Sequence, residues 1–388
     1  MKSQAFVQNL IEIFPKGAPL SVPSFHGTEW DYVKDCIDTG WVSSAGSYVT
    51  KFENQLSQLF GGAHVIAAST GTAALHLCCL AAGVKRGDEV LIPDFTFVAT
   101  ANAVTYGGAI PHLVDVDENS FGVDPEKLRS YLEKISKIES GVCFNAESGR
   151  PIRALVVMHT FGHPSRMDEI LEVCQDFKIQ LIEDAAEALG SKLDGKPLAR
   201  HGVISAVSFN GNKIVTTGGG GAVVTHDKKI ADHVRHISTT AKCQPRTPGE
   251  FYHDEVGYNY RLPNLNAALG CAQLEDLPRR VEQRRSWTET YVKILDGLGC
   301  GSVFQEREGC ESNYWLQAFI LSPELAGSRN EILEAANASG IQLRPAWNLM
   351  SSLPMFKDAP QMNLDVARDL FERTINLPSS EPQRVETP

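Results

Sequence analysis

The chain predicts an α/β fold: a large, mostly parallel sheet domain with helices on both faces, plus a smaller C-terminal α/β domain. Three observations carry this. Short apolar runs alternate with helix-length segments from Val65 to Ile182, the rhythm of strand–helix–strand units. The 388 residues are enough for one large domain and one smaller one. Composition, at 43% hydrophobic and 21% charged residues, is that of a packed globular protein and not of a disordered one.

Residues 1–18 read as a helical lead-in ended by Pro15 and Gly17, and Pro19 to Phe25 as extended chain. Thr28 is a candidate cap for a helix through Asp38, with Glu29 and Asp31 in its first turn, where the helix dipole favours acids. A loop at 41–46 joins an amphipathic helix around Phe52, Leu56, Leu59 and Phe60. The alternation then begins. Strands are expected at 65–68, 89–92, 110–114, 154–158 and 179–182, with helices at 73–82, 96–106, 125–138 and 167–177 between them. Residues 139–151 form a polar insertion. Ala206 to Phe209 and Ala222 to Thr225 read as two further strands, followed by a helix at 228–238 and a loop at 240–256. A helical stretch runs from about Asn264 to Leu298, interrupted by Pro278, and its Arg279, Arg280, Arg284 and Arg285 read as a solvated face. Alternating strand and helix return from Asn313. These features divide the chain into a lead-in at 1–18, a large domain at 19–262, and a small C-terminal domain with its linking helix at 263–388.

A net charge of −11 argues against a nucleic-acid partner. There is no apolar run of membrane-spanning length and no signal-peptide pattern at Met1-Lys2-Ser3-Gln4. The nine cysteines show no metal-ligand spacing, so reduced cytoplasmic thiols and no metal site are expected.

Candidate chemistry sits at strand ends, where open α/β sheets place ligands. Lys213 lies in a loop between two apolar strands, ahead of the run Gly218 to Gly221. Glycines allow close backbone approach, and a desolvated lysine becomes nucleophilic enough to form an imine. A glycine-rich hairpin with an exposed lysine is the plain alternative. Thr70-Gly71-Thr72 joins a strand to a helix N-terminus, which makes either a phosphate site or an ordinary helix cap. Asp184 follows the strand ending at Ile182 and is either the partner of a cationic ligand atom or a capping acid. A lysine, a carboxylate and a phosphate cradle, in this order of strands, are what pyridoxal phosphate requires: an imine, a protonated ring nitrogen and a held phosphate.

The stretches Gly71 to His76, Gly87 to Val90, Thr96 to Asn102, Glu183 to Glu187, Ser208 to Gly221 and Gly257 to Arg261 resemble the DegT/DnrJ/EryC1/StrS family of sugar aminotransferases, from about Pro19 to Pro378. The resemblance implies pyridoxal 5'-phosphate, the fold type I architecture, and a homodimer with shared active sites. It implies Lys213 as the imine-forming, proton-moving lysine and Asp184 on the ring nitrogen. Gly71, Thr72 and Ser208 fall on the phosphate, Phe97 on the ring face and Glu187 near the ring hydroxyl. Asn259 would reach the phosphate of the partner subunit, and His159 and Arg261 would lie near the substrate. Where the family commonly has an acid after the lysine, this chain has Gly219. The family's dehydratases carry histidine at the lysine position; Lys213 sets this chain apart from them.

Pro19 to Phe25, Gly40 to Ser44 with Gly46, and the insertion Cys143 to Arg150 are similar to the branch making 4-amino precursors of legionaminic-acid-type sugars. That implies transfer of the amino group of L-glutamate to C4 of UDP-2-acetamido-2,6-dideoxy-4-hexulose. GDP-perosamine synthases are similar too, around Glu183 to Gly190 and Gly211 to Lys213. A cofactor-binding sensor without catalysis is the rival from another class.

Overall fold

A computed structural model describes residues 2–245, 247 and 249–380. Met1, Arg246 and Pro248 of the expected lead-in and loop, and residues 381–388 of the expected small domain, lie outside the described residues. Among the described residues, no helix is long and apolar enough to cross a membrane.

The first helices are α1 (Lys2–Ile13), α2 (Glu29–Thr39) and α3 (Ser47–Leu59). Thr28 does not cap α2. Its hydroxyl donates instead to Glu275 at 3.0 Å, and the Glu29 carboxylate accepts from the Gly27 amide at 2.8 Å. The alternating region follows as β1 (His64–Ala68), α4 (Gly71–Ala81), β2 (Glu89–Pro93), α5 (Val98–Tyr106), β3 (Ile110–Val114) and α6 (Pro125–Ile135). α6 stops at Ile135, three residues short of the sequence reading. The chain turns there into a hairpin, β4 (Ser136–Glu139) on β5 (Val142–Asn145). The buried Glu89 holds this insertion down by accepting from Asn145 Nδ2 at 2.9 Å and Ser148 Oγ at 2.6 Å. Then come β6 (Ile152–Met158), α7 (Met167–Phe177), β7 (Gln180–Asp184), the two-residue β8 (Lys192–Leu193) and β9 (Lys196–Pro197), β10 (Ile204–Ser208), β11 (Gly221–Thr225) and α8 (Lys228–Ser238).

Among the described residues the main sheet has seven strands in the order β1-β11-β10-β7-β6-β2-β3. Its neighbours from β10 to β3 run parallel, and β11 lies antiparallel between β1 and β10. β2, β10 and β11 are buried at every residue, as expected where helices cover both faces. Register brings chemistry together at one edge. Asp184 is level with Met158 and with Ala206, Ser208 is level with Gly221, and Gly221 is level with Ala68, which runs into Thr70.

α9 (Asn264–Glu275) and α10 (Leu277–Leu295) replace the single interrupted helix. Pro278 sits in the first turn of α10, where its missing N–H leaves no hydrogen bond unmade. The expected solvated arginine face is only half right. Arg280 and Arg284 are buried, because α10 lies against Ser24 and Gln317 and uses their polar atoms. α9 packs across α2 and α3. The chain continues through β12 (Gly301–Val303), β13 (Cys310–Glu311), β14 (Gln317–Leu321), α11 (Arg329–Ala338), β15 (Arg344–Pro345), α12 (Asp365–Arg373) and β16 (Thr374–Leu377). A second sheet, β12-β14-β16-β15, forms the smaller α/β layer.

Carboxylates join the two layers. Asp94 accepts from the Ser351 amide at 2.7 Å, and Asp115 accepts from Ala367, in the first turn of α12, at 2.8 Å. A strap at 18–22 does the same: the Ser379 amide donates to Leu20 O at 2.7 Å, the Val22 amide to Ser380 Oγ at 3.2 Å, and Ser21 Oγ to Asn212 O at 2.9 Å.

Candidate active site

A cavity of about 480 Å³ opens at this sheet edge and is roofed by the smaller layer. Its floor begins at α4. Thr70 is extended and its hydroxyl accepts from Ala73 N at 3.0 Å, so the sequence-expected turn is a genuine helix cap. Gly71 and Thr72 line the cavity, and their amides precede the helix's own hydrogen-bond ladder, as donors available to an anion there. A Cβ at Gly71 would stand 2.7 Å from Ser208 Cβ, so only glycine lets the strand-end serine meet the helix start. The pair forms a compact cradle of amides and hydroxyls, which fits a phosphate.

Asp184 lies deeper and is 2% exposed. Thr100 Oγ1 donates to Oδ2 at 2.8 Å and Ala186 N to Oδ1 at 3.2 Å. Burial pushes the carboxyl up, opposed by these bonds and by the charge of Lys213. A cationic ring nitrogen beside it would favour its ionised form.

Lys213 crosses the cavity from a turn closed by its own amide on Asn210 O at 3.0 Å. Its Nζ bonds Glu187 Oε1 at 2.9 Å and lies 3.6 Å from the Trp315 ring centroid. Trp315 is fixed by its Nε1, which donates to Asn212 O at 2.8 Å. Glu187 is almost fully buried and accepts from Phe161 N at 2.8 Å. Burial pushes its carboxyl up to about 7, against the pull of the Lys213 charge.

The structure thus gathers Gly71, Thr72, Phe97, Asp184, Glu187, Ser208 and Lys213 on one cavity. It puts three other candidates elsewhere. His159 is behind the wall: its Nε2 bonds Glu183 at 3.2 Å, and its Nδ1 accepts from Ser165 N at 3.2 Å. Arg261 is turned to Glu53 at 2.8 Å. Asn259 is exposed and off this chain's cavity.

Trp315, Arg344, Trp347 and Asn376, unmarked in the sequence reading, complete the walls. Arg344 is paired across β15–β16 with Asn376, and no ion pair or side-chain hydrogen bond engages its guanidinium among the described residues. No local spacing marks these four, which come from the smaller layer over 100 residues after Lys213. Gly219 also lines the cavity, and a Cβ there would meet nothing within 4 Å. The missing acid therefore leaves open room, not a steric need for glycine.

A model of the DegT/DnrJ/EryC1/StrS aminotransferase family matches residues 23–386. The GDP-perosamine synthase of Escherichia coli O157:H7 is 35% identical over 364 residues, covering 94% of this chain and 93% of its own. A UDP-4-amino-4,6-dideoxy-N-acetyl-beta-L-altrosamine transaminase of Campylobacter jejuni is 30% identical, over 89% of this chain and 87% of its own. Among solved structures, the aminotransferase TlmJ of Streptoalloteichus hindustanus shares the fold, with a TM-score of 0.83 over 93% of each chain at 24% identity.

Proposed function

Because the chain belongs to the DegT/DnrJ/EryC1/StrS aminotransferase family, we propose that it is a pyridoxal-phosphate-dependent aminotransferase that uses L-glutamate to aminate C4 of a nucleotide-linked 4-keto-6-deoxy sugar. The observation that carries this is the convergence of Lys213, Asp184 and the Gly71–Ser208 cradle on one cavity.

When bound, the cofactor supplies the aldehyde that carries the amino group and the ring that withdraws electrons. The chain supplies the rest. The amides of Gly71 and Thr72 and the Ser208 hydroxyl hold the phosphate. Asp184, ionised, keeps the ring nitrogen protonated. Phe97 covers a ring face. Lys213 Nζ would hold the aldehyde carbon and, once the amine of the donor has displaced it, would take the donor's α-proton and return a proton to C4 of the sugar. Glu187 orients Nζ at 2.9 Å, and the Trp315 ring steadies its cationic form. Arg344 supplies positive charge for an anionic group of a substrate. Asn259 completes the phosphate site of a partner subunit in a homodimer, which accounts for its exposure here. The substrates are small molecules, and the enzyme works in the cytoplasm.

Two sugars are in contention. The resemblance at 143–150 favours UDP-2-acetamido-2,6-dideoxy-4-hexulose. The 35% identity to a GDP-perosamine synthase favours GDP-4-keto-6-deoxymannose. The test is single-turnover amination: enzyme charged with glutamate and freed of ligand is given each ketosugar separately, and the aminated product is measured. Product from the UDP sugar alone supports the first reading, and product from the GDP sugar alone moves the assignment to the second. No 2-oxoglutarate release from glutamate would sink the transaminase reading itself. Lys213→Ala is expected to lower turnover by at least about 10³-fold.

A further inference from the structure

The loop after α8 contains a constellation that the aminotransferase chemistry does not use. Two isolated antiparallel bridges, separated by a turn at Thr240 and Ala241, join residues 239–243 to 252–259: Thr239 bridges Asn259, and Lys242 bridges His253, beside which the Cys243 amide donates to Tyr252 O at 2.9 Å. At the second bridge, neighbouring side chains face opposite ways, so Lys242 and His253 share one face and Cys243 and Asp254 the other. His236, in the last turn of α8, comes to that second face. The His236 ring nitrogen, the Cys243 sulfur and an Asp254 oxygen all lie within 4.8 Å of one another.

We infer that His236, Cys243 and Asp254 form a binding site for a zinc-class divalent cation. Nitrogen, thiolate and carboxylate donors select a borderline-soft cation and disfavour magnesium and calcium, which prefer all-oxygen sites. Tetrahedral zinc with ordinary bond lengths holds its donors roughly 3.3–3.7 Å apart. The His236–Asp254 pair, at 2.6 Å, therefore has to open and the Cys243 sulfur to close in, each by no more than about an ångström, within the reach of side-chain rotation. His236 Nε2 already meets Asp254 at 2.6 Å, so a cation would replace a shared proton. One thiolate and one carboxylate neutralise a dication. The fourth position falls to water, beside Glu255, whose Oε1 is 3.7 Å from His236 Nε2. Glu255 is itself 3.6 Å from His233. The cation would pin the end of α8 to the strand leading into Gly257 to Arg261, and so set the segment carrying Asn259.

The test is cobalt and zinc titration of the cofactor-loaded full chain after chelator treatment. We expect one cobalt per chain, with visible ligand-field bands of four-coordinate intensity and a thiolate charge-transfer band, both lost on adding zinc. Cys243→Ser, Asp254→Asn and His236→Gln should each weaken zinc binding by at least about 100-fold. Binding equally tight in Cys243→Ser would overturn the site. So would a wild-type cobalt spectrum without a thiolate band, which needs no variant to fold. Neither result touches the transaminase reading, because glutamate-dependent 2-oxoglutarate release is measured separately.

Discussion

Glu187 sits under two opposed influences, low dielectric and a neighbouring ammonium. Burial wins and lifts its carboxyl from 4.5 to about 7. Such a group holds its proton more tightly folded than unfolded. It leaves stability untouched below about pH 4.5, erodes it as pH rises from there to 7, and is a constant cost above, on the order of 3 kcal/mol. In cofactor-free protein, the urea midpoint of Glu187→Gln should therefore gain on wild type between about pH 5 and 7 and then level off. A difference flat across that range would mean that Glu187 is ionised in the native protein throughout. Gly71→Ala is the matching steric test. Its Cβ meets Ser208 at 2.7 Å, so the cradle must open, with a loss of about 1–3 kcal/mol of stability and weaker retention of pyridoxal phosphate on dialysis. Full retention would show that the cradle is not where the phosphate rests. Gly71, Asp184 and Lys213 stood out in the sequence because each sits where an apolar run stops. Arg344 did not, because nothing near it in sequence shows which strand it will lie beside.

Among the elements, strands and helices of the sheet were legible from period and length, and their ends were not. The α6 pattern ran on into Ser136 to Ile138 because a short polar strand has no signature until its hairpin partner is present. The α10 arginines misled for a related reason. Periodicity tells which residues share a face, but only tertiary packing tells what covers that face, here Ser24 and Gln317. Asn264 shows how one side chain can join elements. From the start of α9, its Oδ1 accepts from the Tyr48 and Val49 amides of α3 at 3.0 and 3.2 Å, and its Nδ2 donates to Trp41 O at 2.7 Å. Asn264→Ala strands these groups in a buried place and should cost about 2–4 kcal/mol in urea unfolding. A loss below about 0.5 kcal/mol would show that water or another residue replaces the carboxamide.

For the whole molecule, the cavity exists because two layers meet, so substrates should sense both. Arg344→Gln is expected to raise KM for an anionic substrate by roughly 10–100-fold, with a smaller change in kcat; comparing glutamate with the ketosugar shows which anion it serves. An unchanged KM for both would remove Arg344 from recognition. If Asn259 works across a dimer, mixing inactive Lys213→Ala with inactive Asn259→Ala should restore about a quarter of wild-type activity through hybrid dimers. No recovery after verified subunit exchange would confine the site to one chain.

The strap at 18–22 also places a limit on timing. Leu20 lines the cavity, Ser21 holds the lysine turn, and both depend on neighbours that bond Ser379 and Ser380. During synthesis, the lysine turn emerges long before those serines exist. A nascent chain therefore carries the Lys213 amine through the synthesis of residues 214–378 without the wall that will shield it. Stable capture of the cofactor must wait until Ser379 and Ser380 have emerged to bond the strap.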